Sequence, residues 1–232
     1  MEDNLSAQFV IIHGVLEKIG VCVFELDGYE ADDLIGTLSR QAIENKEFDQ
    51  VIILTGDRDM LQLVNPNVLV LAPIVGVTKM ILYDEHAVLE KYGLEPHQFI
   101  DYKSLVGDAS DNYPGVNGIG PKGAANLLNK FHTLEGIYAN LGEIKPGVAE
   151  KLAQDAEQSA MAKKLATIEL HAPIKLESAN CQTSKMDRKA LLEQFEDLQF
   201  NSLITRFRLD KKPVVKKVKK EENNDEQLGL LS

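Results

Sequence analysis

The sequence has no long apolar run, few cysteines and no excess of basic residues, and each shortage narrows what the protein can be. No stretch approaches the roughly 20 consecutive apolar residues of a membrane-spanning helix. The start, MEDNLSAQ, lacks the basic and apolar segments of a signal peptide. Cys22 and Cys181 are far apart, and Cys22 falls in a predicted core strand, so we expect a buried free thiol rather than a disulfide. A cytoplasmic location is the resulting expectation.

The charge balance is acidic, with a formal net charge of −11 over 232 residues. Taken alone, this value argues against a non-specific nucleic-acid binder, which would be basic. The objection weakens if part of the negative charge belongs to a metal site, because bound divalent cations would offset it. The distribution of the acids along the chain therefore matters more than their sum.

The amino-terminal half has the pattern of an α/β fold. Apolar spacing predicts a helix over 4–19, and VCVFEL (21–26) has the composition of a strand. A second helix follows from residue 31, and QVIILTG (50–56) is a continuous apolar run typical of a strand buried on both faces. This order predicts a βαβ unit in which the strands at 21–26 and 50–56 are parallel neighbours.

Two further strands, at 68–73 and 79–84, are predicted to form a hairpin, and Asp84 and Pro96 are placed to start helices. From about residue 105 the pattern is helical, and the predicted helices lie around 121–131, 133–140, 147–169 and 187–207. We therefore predict three parts: a partial α/β core with a mostly parallel sheet and flanking helices, a helical DNA-binding domain, and a disordered tail, at 1–104, 105–210 and 211–232.

Acidic residues follow both strands of the predicted βαβ unit. GYEADDLIG (28–36) follows the first, and TGDRDM (55–60) follows the second. Ligands of open α/β sheets bind beyond the carboxyl ends of strands. A third acidic pair lies in GDASDN (107–112), where the two halves join. Crowded carboxylates with no histidine or cysteine beside them suit Mg²⁺ or Mn²⁺, and two such ions would clamp an in-line phosphoryl displacement.

Each acidic motif also has a structural interpretation. EADD at a helix start is typical of capping and dipole compensation, an Asp-x-Asp pair after a strand also fits turn chemistry, and GDASDN fits a turn. Their joint occurrence on neighbouring strand ends and at the domain junction favours the metal site.

The segment PGVNGIGPKGAANLLNKF (114–131) brings glycines to the start of a helix. Gly115, Gly118 and Gly120 would let the backbone approach a phosphate, and the helix amino terminus offers unpaired N–H groups. Pro121 suits the first helical turn, and Lys122 can reach a phosphate. Such contacts would grip a nucleic-acid backbone without reading its sequence. An ordinary helix–loop–helix corner is the alternative.

These motifs together resemble the 5′ nuclease family, which includes the 5′-to-3′ exonuclease domain of bacterial DNA polymerase I and the flap endonucleases. The matching stretches are GYEADDLIGTL, ILTGDRDMLQLV, KYGLEPHQFIDYKSLVGDASDNYPGVNGIGPKGAANLL and LATIEL, in family order over about residues 20–170. The resemblance implies a PIN-like core followed by a helix–hairpin–helix-type domain. It also implies metal-dependent cleavage of 5′ flaps and 5′ ends of DNA, and of RNA primers, in replication and repair.

Carried over residue by residue, the resemblance implies a metal site and a DNA-binding hairpin. The metal ligands or their immediate neighbours would be Glu30, Asp32, Asp33, Asp57, Asp59, Asp108 and Asp111, with the first five as the catalytic set. The hairpin would be formed by Gly115, Gly118, Gly120 and Lys122, and it would also bind K⁺ through main-chain carbonyls.

The sequence departs from the family pattern at its start. The expected strand with a DG motif, a further metal-site aspartate and a basic helical arch are not found, and Met1 aligns just after the arch. Three explanations stay open: a truncated product of a longer gene, one half of a split enzyme with a separate amino-terminal half, or a degenerate form that binds branched DNA without cutting it.

The tail carries a lysine cluster within 211–220 and ends in QLGLL. This end resembles the short peptide that binds the bacterial sliding clamp, with a contact set of Gln227, Leu228, Leu230 and Leu231. An apolar end without function is the alternative. The main hypothesis is a structure-specific 5′-to-3′ exonuclease or flap endonuclease that uses two metals, and the alternative is a non-catalytic binder of branched or duplex DNA tethered to the clamp.

Overall fold

The computed structural model describes residues 3–76 and 78–207, which form two compact units. The larger unit comprises residues 24–180, and the smaller one brings together the described residues of 1–23 and 181–232. In chain order the elements are α1 (Asp3–Lys18), α2 (Ala31–Glu44), β1 (Val51–Leu54), β2 (Val68–Val75), β3 (Lys79–Tyr83), α3 (Glu85–Tyr92), α4 (Phe99–Val106), β4 (Gly107–Asp108), β5 (Tyr113–Pro114), α5 (Pro121–Phe131), α6 (Leu134–Ala139), α7 (Pro146–Gln154), α8 (Ala156–Ala166), α9 (Arg188–Asp197) and α10 (Asn201–Phe207). None of the described helices combines the length and the apolarity that crossing a bilayer would require.

A three-stranded mixed sheet lies in the larger unit in the order β1-β2-β3. β1 pairs in parallel with β2, with Ile53 opposite Val70, and β2 pairs antiparallel with β3, with Val70 opposite Tyr83. The hairpin predicted from 68–73 and 79–84 is therefore confirmed. The predicted fold class, a partial sheet with flanking helices followed by a helical region, is also confirmed, although the sheet has only one parallel pairing.

The predicted strand at 21–26 was wrong. These residues have no regular secondary structure and pair with no strand among the described residues, and none of the six side chains is buried. A strand is stable only where neighbouring strands satisfy its backbone groups. The parallel neighbour of β1 is β2 instead, so the predicted βαβ pairing was also wrong. Cys22 and Cys181 are not joined by a disulfide, as expected, but Cys22 is only partly buried.

The strand β1 is buried on one face only. Ile53 is 5% exposed, whereas Ile52 and Leu54 are 53% and 68% exposed. The expectation of burial on both faces was therefore wrong. The physical reason is that α2 and the larger unit's main cluster cover one face, and no described element of this unit covers the other.

The helical region follows the predicted order with two additional breaks. The predicted helix over 147–169 is divided at Asp155 into α7 and α8, and that over 187–207 is divided into α9 and α10. A short pairing of β4 with β5 interrupts the region that was expected to lack strands. Asp84 caps α3 as predicted, since its Oδ1 accepts from the Ala87 N–H at 2.7 Å.

The core of the larger unit contains three apolar clusters, the smallest of which consists of Tyr113, Ala162 and Ala166. The two larger clusters both include residues of α4: one contains Met60, Val70 and Phe99, and the other contains Leu105 and Leu128. The segment 167–176 runs along α2, where Thr37 and Gln41 hydrogen-bond to its backbone. At the start of the helix, the Glu169 N–H donates to the Asp33 carboxylate. This packing fixes the position of the α2 amino terminus.

The smaller unit is built from the carboxyl end of α1 and from α9 and α10. Ile19 packs with Leu191 and Phe195, and the Asp187 N–H donates to the Ile19 carbonyl at 2.9 Å. The middle of α1 is exposed at Phe9 and Ile12, so only part of its predicted apolar face is used.

Several predicted features lie outside the described residues. These are the disordered tail over 211–232, its lysine cluster and the clamp-binding peptide with Gln227, Leu228, Leu230 and Leu231. The domain boundary predicted between residues 104 and 105 falls within α4 and stays a prediction.

Candidate functional site

The structure brings six of the seven predicted acids around one cavity of about 520 Å³ in the larger unit. They come from three segments and are Glu30, Asp32, Asp33, Asp57, Asp59 and Asp111. The seventh, Asp108, lies beside them, because carboxylate oxygens of Asp59, Asp108 and Asp111 are all within 4.8 Å of one another. The acids therefore converge even though the strand expected before GYEADDLIG does not form.

The start of α2 carries both a cap and free carboxylates. The Asp33 Oδ2 atom accepts from the Glu30 N–H at 3.2 Å, and the two side chains form a capping box. The Asp33 Oδ1 atom accepts from the Glu169 N–H at 2.8 Å. Both Asp33 oxygens thus hold backbone in place, while Asp32 has no hydrogen-bond partner among the described residues. The capping interpretation of EADD fits Asp33, and Asp32 is the carboxylate left free to bind a cation.

The turn after β1 orients the second acidic pair. The Asp57 N–H donates to the Thr55 Oγ1 at 3.0 Å, and the Asp59 N–H donates to the Asp57 Oδ1 at 2.9 Å. This Asx-type turn leads into a short 3-10 helix over Asp59–Leu63, in which Asp59 is only 8% exposed. Turn chemistry and a ligand position therefore coexist in the same segment.

A buried lysine lies among these acids. Lys103 of α4 is 8% exposed, and its Nζ is 2.5 Å from the Asp59 Oδ1 and also pairs with the Asp108 Oδ2. The sequence interpretation missed Lys103. The available signal was its position five residues before Asp108, at the end of a predicted helix.

The crowding raises the affinity of the acids for protons. Burial, followed by the charges of Asp57, Asp59 and the neighbouring acids of α2, raises the pKa of Asp32 from 3.8 to about 6. Burial also raises the pKa of Asp59, while its hydrogen bond and ion pair with Lys103 act in the opposite direction. A site that resists ionisation in this way is stabilised by additional positive charge.

Tyr113 is a second residue that the sequence interpretation missed. It lines the same cavity, and its buried hydroxyl has no hydrogen-bond partner within the described part of the chain. Burial and the charges of Asp59 and Asp111 raise the pKa of this hydroxyl. An unpaired buried hydroxyl among carboxylates indicates that a further polar group belongs in the cavity. Together with an all-oxygen donor set, this fits a divalent metal such as Mg²⁺ or Mn²⁺.

The glycine hairpin places its residues in different environments. A Cβ at Gly115 would lie 2.3 Å from the Gly107 nitrogen and from the Leu105 oxygen, so this glycine is required by packing within the protein. Gly118 has φ +74°, and a Cβ there would lie 2.4 Å from the Lys151 Nζ. Gly120 borders open space at the start of α5, and Lys122 is exposed in its first turn. Gly115 is buried, whereas Gly118, Gly120 and Lys122 are exposed.

Comparison with known proteins identifies relatives over most of the chain. Residues 1–93 match the family model of the 5′-3′ exonuclease N-terminal resolvase-like domain, and residues 94–189 match that of the 5′-3′ exonuclease C-terminal SAM fold. DNA polymerase I of Caldicellulosiruptor bescii is 41% identical over 211 residues, which are 90% of this chain and 25% of that protein. DNA polymerase I of Bacillus subtilis is 38% identical over 205 residues, which are 88% and 23% of the two chains. The chain thus spans about a quarter of the length of these curated relatives.

Solved structures share the fold. T5 5′-exonuclease with bound zinc has a TM-score of 0.56 at 22% identity, over 76% of this chain and 61% of that one. The catalytic core of Rad2 in complex with a DNA substrate has a TM-score of 0.53 at 15% identity, over 87% and 68%. Together with the two adjoining family models, the identity to the polymerases establishes that the chain belongs to the 5′-3′ exonuclease family.

Proposed function

We propose that the chain is a structure-specific, metal-dependent nuclease that hydrolyses phosphodiester bonds at 5′ ends and 5′ flaps of DNA during replication and repair. The observation that carries this proposal is the convergence of carboxylates from three segments on one cavity beside the buried Lys103. Such a cavity attracts cations, and it would repel a polyanionic substrate unless cations were bound.

The carboxylates divide into two groups by position. We assign Asp59, Asp108 and Asp111 to one divalent ion, because their oxygens lie within 4.8 Å of one another. We assign Glu30, Asp32 and Asp57 to a second ion. Asp33 positions this second group, because its two oxygens already accept backbone N–H groups.

Mg²⁺ or Mn²⁺ bound by these groups would stabilise the negative charge that develops on the phosphoryl oxygens during in-line displacement. Lys103 keeps Asp59 and Asp108 close together by pairing with both of them. Tyr113 contributes a buried hydroxyl at the cavity wall that can donate a hydrogen bond to a phosphate oxygen. No side-chain nucleophile is required.

The glycine hairpin would hold the duplex part of the substrate. Gly120 offers open backbone and Lys122 a positive charge at the start of α5, and the exposed Gly118 lies next to the Lys151 ammonium group. Binding of K⁺ to the hairpin carbonyls is part of the same proposal. DNA as the substrate agrees with the related structures, since the Rad2 core was solved with a DNA substrate and the T5 flap endonuclease with DNA and metal ions. RNA primers, the sliding clamp, a separate amino-terminal half and a cytoplasmic location remain further proposals.

A cleavage assay on a 5′-flap duplex with Mg²⁺ or Mn²⁺ tests the proposal. The wild-type chain should cut, alone or with the amino-terminal segment of a relative supplied in trans, and EDTA should abolish cutting. Asp111→Asn should lower activity by roughly 100-fold or more, because it removes a direct ligand, whose loss exceeds the 10–100-fold effect of losing an outer partner. Glu150→Gln, an exposed acid on α7, is the matched control.

Measuring the binding of the same 5′-flap DNA alongside cleavage separates a nuclease from a non-catalytic binder. If flap DNA binds but no sample cuts with either metal, the enzymatic function is refuted. If Asp111→Asn cuts as fast as the wild type, the metal assignment is refuted while the nuclease function is not.

A further inference from the structure

A second, smaller cavity lies next to the acidic one, and two cationic side chains line it. It has a volume of about 140 Å³, and Arg58, Lys91, Tyr83, Gly56 and Asp57 line it together with six apolar residues of the core and of β2 and β3. Asp57 lines both cavities, so the two share a wall. A pocket of this size with two cationic side chains suits a single phosphate group.

Lys91 is held in place at the end of α3. Its Nζ lies 4.9 Å from the centre of the Tyr83 ring and 5.4 Å from that of Tyr92, and it donates a hydrogen bond to the Tyr83 hydroxyl. Tyr83 is only 3% exposed and belongs to β3, so it is a rigid support. An ammonium group fixed in this way loses little side-chain entropy when it binds an anion.

Arg58 reaches the same place from the turn after β1. It is exposed, and neither it nor Lys91 forms an ion pair within the described ranges. Arg58 and Lys91 line the same cavity, and the charges of both oppose the burial that raises the pKa of the Tyr92 hydroxyl. Stacking on aromatic rings accounts for Lys91, but it does not account for an exposed arginine between two acids of the cation site.

The position of the pocket suggests its ligand. A nucleic-acid strand that places one phosphodiester among the carboxylates must place the adjacent phosphate one nucleotide away. A cationic pocket across a shared wall would receive that phosphate and offset the repulsion from the acids. The contact would position the strand without reading its sequence.

We propose that Arg58 and Lys91 form a phosphate pocket that binds the DNA phosphate adjacent to the bond cut in the acidic cavity. This proposal rests on the proposed nuclease function. It assigns a positioning role to two residues outside the carboxylate set.

The test is a binding measurement that does not require cutting. Arg58→Gln and Lys91→Met, which keeps the aliphatic stem of the lysine, are compared with the wild type on 5′-flap DNA with Ca²⁺ in place of Mg²⁺. Each variant should raise Kd about 10-fold. The plot of log K against the logarithm of the salt concentration should become shallower by about 1, as expected for one lost phosphate contact. The exposed Lys175→Gln change removes the same charge elsewhere and should change neither value by as much.

A scan of flap substrates with one neutral methylphosphonate at successive positions locates the contact. A methylphosphonate at one position next to the cut bond should weaken DNA binding by the wild type but should weaken binding by Arg58→Gln little further. At the other positions, the substitution should weaken binding by both proteins equally. A merely structural role of the pocket would not produce this dependence on one position. Arg58→Lys should recover most of the affinity.

The proposal is overturned if both variants bind like the Lys175→Gln control, or if every methylphosphonate adds to the loss caused by Arg58→Gln. These outcomes are distinct from failure of the nuclease function. If the protein does not cut DNA, the Kd values still test the pocket. If the protein cuts DNA but the Arg58 and Lys91 variants bind normally, the nuclease function stands and the pocket is refuted.

Discussion

Replacing Asp32 by asparagine should stabilise the metal-free protein while removing a metal ligand. The carboxylate of Asp32 is partly buried and lies among other acids, which raises its pKa from 3.8 to about 6. Its ionised form therefore destabilises the folded state at neutral pH. Asparagine has nearly the same shape and carries no charge, so the change removes this repulsion without creating a cavity.

The size of the effect follows from the pKa. A shift of about two pKa units corresponds to about 3 kcal/mol, and solvent screening of a partly exposed group reduces this to about 1 kcal/mol. Because the folded pKa is raised, the folded state binds more protons than the unfolded state between pH 3.8 and 6. Stability falls as pH rises through this window, and the full loss is present above about pH 6.

The assay is urea denaturation in EDTA. Asp32→Asn should raise the free energy of unfolding by about 1 kcal/mol at pH 7.5, and roughly half of this gain should remain at pH 5. Added Mg²⁺ should stabilise the wild type by mass action and the variant much less. A variant less stable than the wild type in EDTA at pH 7.5, or a gain independent of pH, would refute the electrostatic argument. Glu150→Gln should show no such pH dependence.

Three other predictions follow from the packing and from the tail. Gly115→Ala should lower the free energy of unfolding in thermal melts by about 3 kcal/mol or more, because the new methyl group meets backbone atoms at 2.3 Å. Gly120→Ala, where space is open, should change the free energy of unfolding little. Equal effects of the two changes would contradict the close approach at Gly115. Lys103→Met should destabilise the protein in EDTA by about 3–5 kcal/mol, because it leaves the carboxylates of Asp59 and Asp108 without their cation. Mg²⁺ should stabilise this variant more than it stabilises the wild type. An unchanged melting curve would argue against this ion pair. Deletion of 227–232 should abolish sliding-clamp binding in a pull-down and leave duplex binding unchanged, so undiminished clamp binding would dismiss the peptide.

Much of the fold was predictable because its signals are local. The helical spacing before Lys18, the capping aspartate at residue 84 and Pro96 each act within one or two turns of chain. The hairpin of β2 and β3 was predictable for the same reason. The strand expected at 21–26 has equally good composition, but a strand needs a partner for its backbone, and partner choice is not written in the strand itself.

The candidate site was predictable as a set of residues and not as an arrangement. GYEADDLIG, TGDRDM and GDASDN each have an ordinary local explanation, and their convergence required the fold. Lys103 escaped notice because a lysine near the end of a helix is normally solvated, and only the packing of α4 carries it between Asp59 and Asp108. Gly115 was attributed to phosphate approach, whereas its close neighbour is the backbone of Gly107.

By itself, the sequence determined which chemical groups this protein presents: clustered hard oxygen ligands, a glycine-rich helix start and elements whose periodicity is local. Only the tertiary structure decided how each group is used. Asp33 holds the Glu169 N–H, 136 residues away, while its neighbour Asp32 stays unpaired in the cavity. The same packing places Lys103 among the acids and leaves Arg58 and Lys91 in the neighbouring pocket. These differences depend on contacts between distant segments, and no pattern within a single segment contains them.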